Sequence, residues 1–470
     1  MSDDIALMTA SKLVKLYRAG ELSPVAATRA ALDRIERYNG RLNAFNLVAP
    51  ESALAAAAES EERWRLGAPR GPLDGVPVSI KDVLLTRGWP TLRGSRTINR
   101  DQAWDEDAPS VARLREHGAV MLGKTTTPEF GWKGVTDSPL DGVTRNPWDP
   151  STTPGGSSGG AAAALAAGMG ALALGTDAGG SVRIPAGFTG VFALKATFGR
   201  VPAYPLSPFG TLANVGPMTR SVTDAAILLT VMAEPDHRDA YSLPYDGTDY
   251  THGLEEGVAD LKIAYSPTLG GHAVDPEIAT LVAKAVARLS DLGAEIVEAD
   301  PDTRGAEEIF RLHWYAAAAN LLQRFDASAQ SQMDPGLQEV AAEGRGYGLL
   351  DYLGAVARRE EMIAAANRFH QTYDLLVTPS LPIPAFEAGE EVPRGSGMAR
   401  WPAWTPFSYP FNLTQQPAAS LPCGLTAKGL PAGLQIVGPR FADALVLRAA
   451  RALEKAAPWP FPDLERTLGK

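Results

Sequence analysis

The sequence has little of several features that mark particular classes of protein. Its 470 residues include one cysteine, Cys423, which excludes an intrachain disulfide framework and is typical of a reducing compartment. No apolar run approaches the roughly 18 residues of a membrane-spanning helix. The first residues lack a basic region followed by an apolar segment, so no signal peptide is expected. These absences predict a cytoplasmic protein that does not bind membranes.

Positive charge is also scarce. The formal net charge is −10 at pH 7, which argues against a nucleic-acid partner. Neither glycine run closes with the Gly-Lys-Ser/Thr of a phosphate-binding loop. No group of histidine, cysteine and carboxylate residues has the spacing of metal ligands, so neither a metal nor another cofactor is expected. A small molecule is the expected partner.

One segment is instead dense in glycine, alanine and serine. Residues 155–187 read GGSSGGAAAALAAGMGALALGTDAGGSVRIPAG. Leucines and methionine recur within it at buried spacing, which a solvated linker would not show. Glycine is needed where the backbone passes close to another group or adopts positive φ. Ser157 and Ser181, each flanked by glycine, are therefore candidates for chemistry.

A serine hydroxyl needs a base to act as a nucleophile. The run Gly155-x-Ser157-x-Gly159 matches the nucleophile elbow, but three prolines interrupt the preceding VTRNPWDPSTTP, and no downstream histidine lies in a recognisable loop. A lysine that burial keeps neutral can replace histidine as the base. Lys81 ends the apolar strand predicted in GPLDGVPVSIKD. The second serine would then bridge lysine and nucleophile, and consecutive amides from Ala178 would face an oxyanion.

These residues together resemble the amidase signature family. The resemblance extends over nearly the whole chain and is carried by GVPVSIKD, GVTRNPWDPSTTPGGSSGG, the segment 155–187, LKATFGR, FNLTQQPAASLPCG and AGLQIVG. It implies that Ser181 is the nucleophile, that Ser157 is the bridging residue after a cis peptide bond, and that Lys81 is the base. The two serines have the family's separation of 24 residues.

The resemblance also implies supporting residues. The predicted oxyanion donors are the amides of Ala178, Gly179 and Gly180, together with that of Ser181. The residues predicted to support the catalytic loops are Asp177, Arg183, Ser158 and Thr176. The segments that bring aromatic and small residues predict an apolar acyl pocket without charge, formed by Trp132, Phe209, Trp404 and Phe407.

Helical segments alternate with short apolar strands, which indicates an α/β fold. A hairpin around Ala427-Lys428-Gly429 makes the predicted sheet mixed. The family resemblance implies a single domain, 1–470, in which a large mixed β-sheet is surrounded by α-helices. We divide it into a helical N-terminal arm (1–70), a catalytic core (71–225) and a remainder that completes the sheet and the pocket loops (226–470).

The predicted function is hydrolysis of an amide carbon–nitrogen bond through a seryl acyl-enzyme. The substrate is a small-molecule amide, with anilides, esters and carbamates as related substrates, and the enzyme is a monomer or a homodimer. One alternative is the glutaminase-type subunit of a tRNA-dependent amidotransferase. Others are a carbamate or urethane hydrolase on the same fold and a non-catalytic binding protein. The sequence does not identify the acyl group or the amine.

Overall fold

A mixed sheet of 11 strands runs through the centre of the computed structural model, which describes residues 5–469. The strands are β1 (Phe45–Val48), β2 (Pro77–Lys81), β3 (Val120–Thr125), β4 (Asp137–Ser138), β5 (Gly142–Val143), β6 (Leu172–Asp177), β7 (Phe192–Lys195), β8 (Asn214–Thr219), β9 (Lys262–Tyr265), β10 (Glu295–Glu298), β11 (Leu375–Pro379), β12 (Ala418–Leu425) and β13 (Pro431–Val437). β4 and β5 pair separately as a two-stranded ribbon.

The order across the large sheet is β1-β3-β2-β6-β8-β7-β12-β13-β11-β9-β10. Parallel pairs, β3 with β2 and β2 with β6, lie towards one side. A second parallel set, β11 with β9 and β9 with β10, lies towards the other side. The strands between them pair antiparallel from β6 to β11. The sheet is therefore mixed, as the sequence predicts.

Helices surround this sheet. They are α1 (Ala10–Ala19), α2 (Pro24–Leu42), α3 (Pro50–Arg65), α4 (Pro109–Glu116), α5 (Gly159–Ala166), α6 (Arg183–Thr189), α7 (Val222–Met232), α8 (Pro276–Asp291), α9 (Ala306–Leu322), α10 (Ala327–Gln330), α11 (Pro335–Gly344), α12 (Leu349–Phe369), α13 (Pro410–Leu413), α14 (Asp443–Ala456) and α15 (Leu464–Leu468). Within residues 5–469, none of the helices has the length and apolar character needed to cross a bilayer.

Local sequence signals account for several of these boundaries. The Ser23 side chain accepts a hydrogen bond from the Val25 amide and Pro24 is the first residue of α2, and both features favour a helix that begins there. The predicted alternation of helix and strand is present, for example in α4 with β3 and in α8 with β10. The predicted hairpin is formed by β12 and β13, and Gly429 lies in its turn with a φ of 77°.

The sheet positions the candidate site along the edge formed by the ends of its strands, where the inner strands β2 and β6 terminate. β2 and β6 are parallel neighbours, so their carboxyl ends, Lys81 and Asp177, meet at the same edge. All five residues of β2 are buried. The two glycine runs lead to this same edge. One of them precedes α5 and the other precedes α6.

Candidate active site

Lys81 is fully buried at the end of β2. Its Nζ lies 2.7 Å from the Oγ of Ser157 and 2.8 Å from the Oγ1 of Thr176. Burial lowers the pKa of Lys81 to about 7, against the opposing effect of the Asp177 carboxylate. At neutral pH, a lysine with this pKa is neutral in a large fraction of molecules, and the neutral amine is the form that can accept a proton.

Ser157 is held by a tightly packed backbone. The peptide bond between Gly156 and Ser157 is cis, as the family resemblance implies. A Cβ on Gly156 would lie 2.5 Å from the carbonyl carbon and oxygen of Val135, so only glycine fits there. On the other side, a Cβ on Gly131 would lie 3.3 Å from the Ser157 hydroxyl.

Ser181 follows the second glycine run and lines the same cavity as Ser157 and Thr176. Its side chain is buried, and its carbonyl oxygen accepts a hydrogen bond of 3.0 Å from the amide of Ser158. The sequence predicts that the Ser157 hydroxyl bonds both Lys81 and Ser181. In residues 5–469 the first of these hydrogen bonds is present and the second is not.

A buried ion pair braces the loop that carries Ser181. Arg183 donates two hydrogen bonds of 3.0 Å to the Asp177 carboxylate and further hydrogen bonds to Asn412 and Gln435. Burial alone would raise the pKa of Asp177, but the charge and hydrogen bonds of Arg183 outweigh it and hold the pKa well below its usual range. Asp177 is therefore charged, and its ion pair with Arg183 fixes the start of the loop.

The structure corrects the prediction for one of the oxyanion donors in residues 178–180, the amide of Gly180. The Gly180 amide donates to the Asp177 carboxylate at 2.9 Å, so this amide braces the loop rather than facing an oxyanion. The hydrogen bonds of residues 5–469 include none donated by the amides of Ala178, Gly179 or Ser181. Gly179 itself is backed by aromatic rings, since a Cβ there would lie 2.8 Å from Phe310.

Ser158 and Thr176 connect the two glycine runs. The Ser158 hydroxyl lies 3.2 Å from both the amide nitrogen and the carbonyl oxygen of Thr176. Thr176 in turn contacts the Lys81 amine through its own hydroxyl. These contacts fix the start of α5 against β6 and place Thr176 next to Lys81.

Two other buried lysines show that burial alone does not define this site. Burial lowers the pKa of Lys124 to about 8 and that of Lys195 to about 7. Lys124 donates to the carbonyl oxygen of Leu84 and to the Thr91 hydroxyl, and Lys195 donates to backbone carbonyls. Of these three lysines, Lys81 is the one whose amine contacts a serine hydroxyl.

A cavity of about 230 Å³ opens beside Ser157 and Ser181. Phe209, one of the four predicted pocket aromatics, lines it together with the segment Tyr204–Pro208. The prediction is wrong for the other three, because each packs in the interior. Trp404 stacks on Phe188.

Trp132 and Phe407 likewise do not line the cavity, and both are completely buried. The Trp132 carbonyl accepts a hydrogen bond from the Trp314 indole, and the Phe407 carbonyl accepts one from Gln435. Trp401, from the same loop as Trp404, packs behind Gly179. Trp401 therefore supports the loop at Gly179 from behind.

Sequence interpretation missed two positively charged residues in this wall. Arg93 and Arg324 both line the cavity, so the prediction of a pocket without charge is wrong. An arginine in a loop such as Arg93, or just after a helix such as Arg324, is usually a solvent-facing residue. The sequence carries no signal that would distinguish these two from the other arginines.

The described part of the chain contains no group of three or more histidine, cysteine or carboxylate side chains arranged to hold a metal ion. The polar groups around Ser181 include the hydroxyls of Ser157 and Thr176, which line the same cavity, and the Lys81 amine, which contacts both hydroxyls. A serine hydroxyl with a lysine of lowered pKa within reach is typical of enzymes that attack carbonyl carbon.

Comparison with known proteins identifies the family to which the chain belongs. Residues 26–447 match the sequence model of the Amidase family. The chain therefore belongs to the amidase family, and its reaction is hydrolysis of an amide carbon–nitrogen bond.

Individual relatives span almost its whole length. The chain is 38% identical to a glutamyl-tRNA(Gln) amidotransferase subunit of Moorella thermoacetica, covering 96% of this chain and 97% of that protein. It is 37% identical to an acylamidase of Rhodococcus erythropolis, covering 96% of both chains. The crystal structure of a bacterial aryl acylamidase superposes with a TM-score of 0.89 at 30% identity, again covering 96% of both chains.

Proposed function

We propose that the protein hydrolyses small-molecule amides through an acyl-enzyme on Ser181, with Lys81 as the base and Ser157 as the relay between them. The observation that carries this proposal is the 2.7 Å contact between the buried Lys81 amine and the Ser157 hydroxyl. That hydroxyl lines the same cavity as Ser181. Burial supports the role of Lys81, because it lowers the pKa of the amine to about 7.

Acylation begins with neutral Lys81, which donates to Thr176 and accepts from Ser157. Ser181 Oγ attacks the substrate carbonyl while its proton passes to Ser157 and the Ser157 proton passes to Lys81. The carbonyl π electrons move to oxygen and form a tetrahedral oxyanion. When the C–N bond breaks, its electron pair goes to nitrogen, and the relay returns the proton to the leaving amine.

Deacylation repeats this sequence with water as the nucleophile. Water adds to the acyl carbon and loses a proton through Ser157 to Lys81. The ester C–O bond to Ser181 then breaks, and its oxygen recovers the proton through the same relay. The products are a carboxylic acid and an amine, and Lys81 is neutral again at the end of the cycle.

The oxyanion donors in this proposal are the amides of Ala178, Gly179 and Ser181. Preorganised backbone donors of this kind stabilise charge that develops on the carbonyl oxygen, and one such donor is typically worth about 10²–10³ in kcat. Asp177 and Arg183 are positioning residues, since their ion pair and the Gly180 hydrogen bond fix the loop. Cys423 is unpaired, which supports a cytoplasmic location.

A second candidate is the glutaminase-type subunit of a tRNA-dependent amidotransferase, which the relative from Moorella thermoacetica favours. The acylamidase and aryl acylamidase relatives favour an amide hydrolase, which we propose acts alone as a monomer or homodimer. A tagged chain expressed in its own host distinguishes the two. Stand-alone hydrolysis predicts turnover of anilides by the purified chain, whereas the alternative predicts copurification of other subunits and ammonia release from glutamine.

Labelling with a serine-directed phosphonate tests the proposed nucleophile. The wild-type protein should lose anilide hydrolysis in step with incorporation of one phosphonyl group on Ser181. Ser181→Ala should be inactive and unlabelled, and the matched control Ser396→Ala, at an exposed serine, should be labelled and active. Labelling of any other serine, or turnover by Ser181→Ala, would contradict the assignment.

A further inference from the structure

We infer that Arg93 and Arg324 form a carboxylate-binding site in the wall of the active-site cavity, so that the preferred substrates are amides that carry a carboxylate away from the scissile bond. The inference rests on the proposed function, because the same cavity contains Ser181. It names the substrate class that the sequence leaves open.

The Arg93 backbone is fixed on both sides. Its amide donates to the Asp82 carboxylate at 3.1 Å, and its carbonyl accepts a hydrogen bond of 2.8 Å from Phe130. Phe130 and the adjacent Gly131 also line the cavity, and Gly131 packs against the Ser157 hydroxyl. Two residues therefore connect Arg93 to the centre of the proposed relay, and the position of its backbone does not depend on a ligand.

The Arg93 guanidinium is half-buried and has no hydrogen bond or ion pair with any of residues 5–469. Asp82, the acid whose charge acts on Arg93, already has other partners. Its carboxylate lies 3.4 Å from the Lys124 amine and accepts hydrogen bonds from Asn46 and from the backbone. A cation that is partly desolvated and unpaired is unfavourable unless an anion compensates it.

Arg324 follows the end of α9 and presents a second guanidinium to the cavity. Its side chain likewise has no ion pair or hydrogen bond within the described part of the chain. Burial lowers the pKa of Arg93, the charge of Asp82 opposes this, and the charge of Arg324 adds to the lowering, so the two cations are close enough to repel each other. Two unpaired like charges at one cavity define a site for an anion.

The one acid in the cavity wall does not compensate them. Both oxygens of Asp239 accept hydrogen bonds from backbone amides, those of Ala203 at 2.9 Å and Tyr241 at 2.8 Å. Asp239 thus braces its own loop and forms no ion pair with either arginine. The rest of the wall is largely apolar, with Val83, Leu84 and Phe209 among its residues.

This combination specifies the ligand. A carboxylate matches the planar fork of a guanidinium and forms charge-assisted hydrogen bonds with it. The apolar residues that line the same cavity as the arginines and Ser181 fit a hydrocarbon spacer. The expected substrate therefore has an amide, an alkyl or aryl spacer and a terminal carboxylate, on either the acyl or the amine side of the scissile bond.

Two pairs of substrates test the inference and distinguish these sides. For the acyl side, glutaryl 4-nitroanilide is compared with pentanoyl 4-nitroanilide. For the amine side, 4-(butyrylamino)benzoate is compared with N-(4-methylphenyl)butyramide. The wild-type enzyme should prefer the carboxylate in at least one pair by about tenfold or more in kcat/KM. Arg93→Met and Arg324→Met should each lower that ratio about tenfold, mainly through KM.

Arg96→Met is the matched control, because Arg96 is exposed and close in sequence but does not line the cavity. It makes the same change in net charge and should leave both ratios unchanged. Arg93→Lys should recover part of the preference that Arg93→Met loses. A wild-type preference for the neutral substrate in both pairs, or equal ratios in all variants, would overturn the carboxylate site while leaving the proposed hydrolysis intact.

Binding to Ser181→Ala separates the site from the chemistry. Calorimetric titration with 4-(butyrylamino)benzoate and with glutarate should show binding by this variant that the added substitution Arg324→Met weakens about tenfold. Because Arg324 is exposed, its loss does not threaten folding. Failure of wild-type hydrolysis with intact arginine-dependent binding would instead overturn the proposed function. Binding of neither ligand, or binding that is equally tight with and without Arg324, would overturn the site.

Discussion

The amine of Lys81 and the hydroxyl of Ser157 lie 2.7 Å apart, although 76 positions separate the two residues in the chain. β2 brings the lysine to the edge of the sheet, and the first glycine run brings the serine. The lysine is buried completely, and Asp177, the carboxylate whose charge opposes the effect of burial on its pKa, forms an ion pair with Arg183. The contact therefore joins a serine to a lysine that is easily deprotonated.

The first prediction concerns pH. Because the neutral amine is the base and burial lowers the pKa of Lys81 to about 7, kcat/KM should be constant above that pH and fall about tenfold per pH unit below it. Hydrolysis of a neutral anilide, measured across this range, checks the prediction. Lys81→Arg should be inactive at every pH, since a guanidinium stays protonated.

Lys195 provides the control for this profile, because burial lowers its pKa to about 7 as well. Its amine contacts backbone carbonyls and no serine. Lys195→Met should therefore leave the apparent pKa of kcat/KM where it is in the wild type. A profile that is flat below pH 7, or one whose apparent pKa shifts in Lys195→Met, would contradict the assignment of Lys81 as the titrating base.

The second prediction concerns the Asp177–Arg183 ion pair. Both side chains are completely buried, so Arg183→Met would leave an uncompensated charge in the interior. We expect a loss of about 3–5 kcal/mol in the free energy of unfolding. Urea unfolding followed by circular dichroism measures it. Arg304→Met is the control, because the Arg304–Asp302 pair is on the surface, with Arg304 91% exposed, and its loss should have no measurable effect.

Some of this site follows from the sequence and some does not. Lys81 was predictable from the apolar strand that it ends together with the family resemblance, which implies it as the base, and Ser157 and Ser181 from the glycine that precedes each of them. The prediction for Gly180 failed because an amide's direction depends on the local turn. Its partner, the Asp177 carboxylate, lies three residues away.

The pocket residues were less predictable. The sequence WPAWTPFSYPF shows that aromatic residues are present but not which way they face, because a loop has no fixed period. Trp404 turns inward, where it stacks on Phe188 of α6. Arg93 reaches the cavity through the contact of its backbone with Phe130, and no pattern in the sequence connects those two segments.

The third prediction concerns the fit of glycine before Ser157. A Cβ on Gly156 would lie 2.5 Å from the Val135 backbone, so Gly156→Ala must shift the neighbouring serine. A displacement of about 1 Å in a catalytic group can cost roughly 10²-fold in rate, and we expect kcat to fall by at least that factor. The control is Gly40→Ala in α2, where nothing lies within 4 Å of the new methyl group.

In an open helical position, alanine is expected to stabilise by about 0.5–1 kcal/mol relative to glycine. Gly40→Ala should therefore keep its activity and unfold at a slightly higher urea concentration. Wild-type kcat in Gly156→Ala would show that the loop carrying Ser157 tolerates the displacement, and would contradict the requirement for this backbone fit.

The last prediction concerns the apolar part of the cavity. Phe209 lines it, and its ring stacks on that of Trp314 with centroids 3.7 Å apart. Burial of each substrate CH₂ is worth about 0.8 kcal/mol, or roughly fourfold in affinity, so kcat/KM should rise from acetamide through butyramide to hexanamide. Phe209→Ala should flatten this series by raising KM for hexanamide about tenfold, whereas Phe441→Ala, at a ring that is 55% exposed, should preserve it. A series equally steep in Phe209→Ala would mean that the alkyl chain lies against another part of the wall.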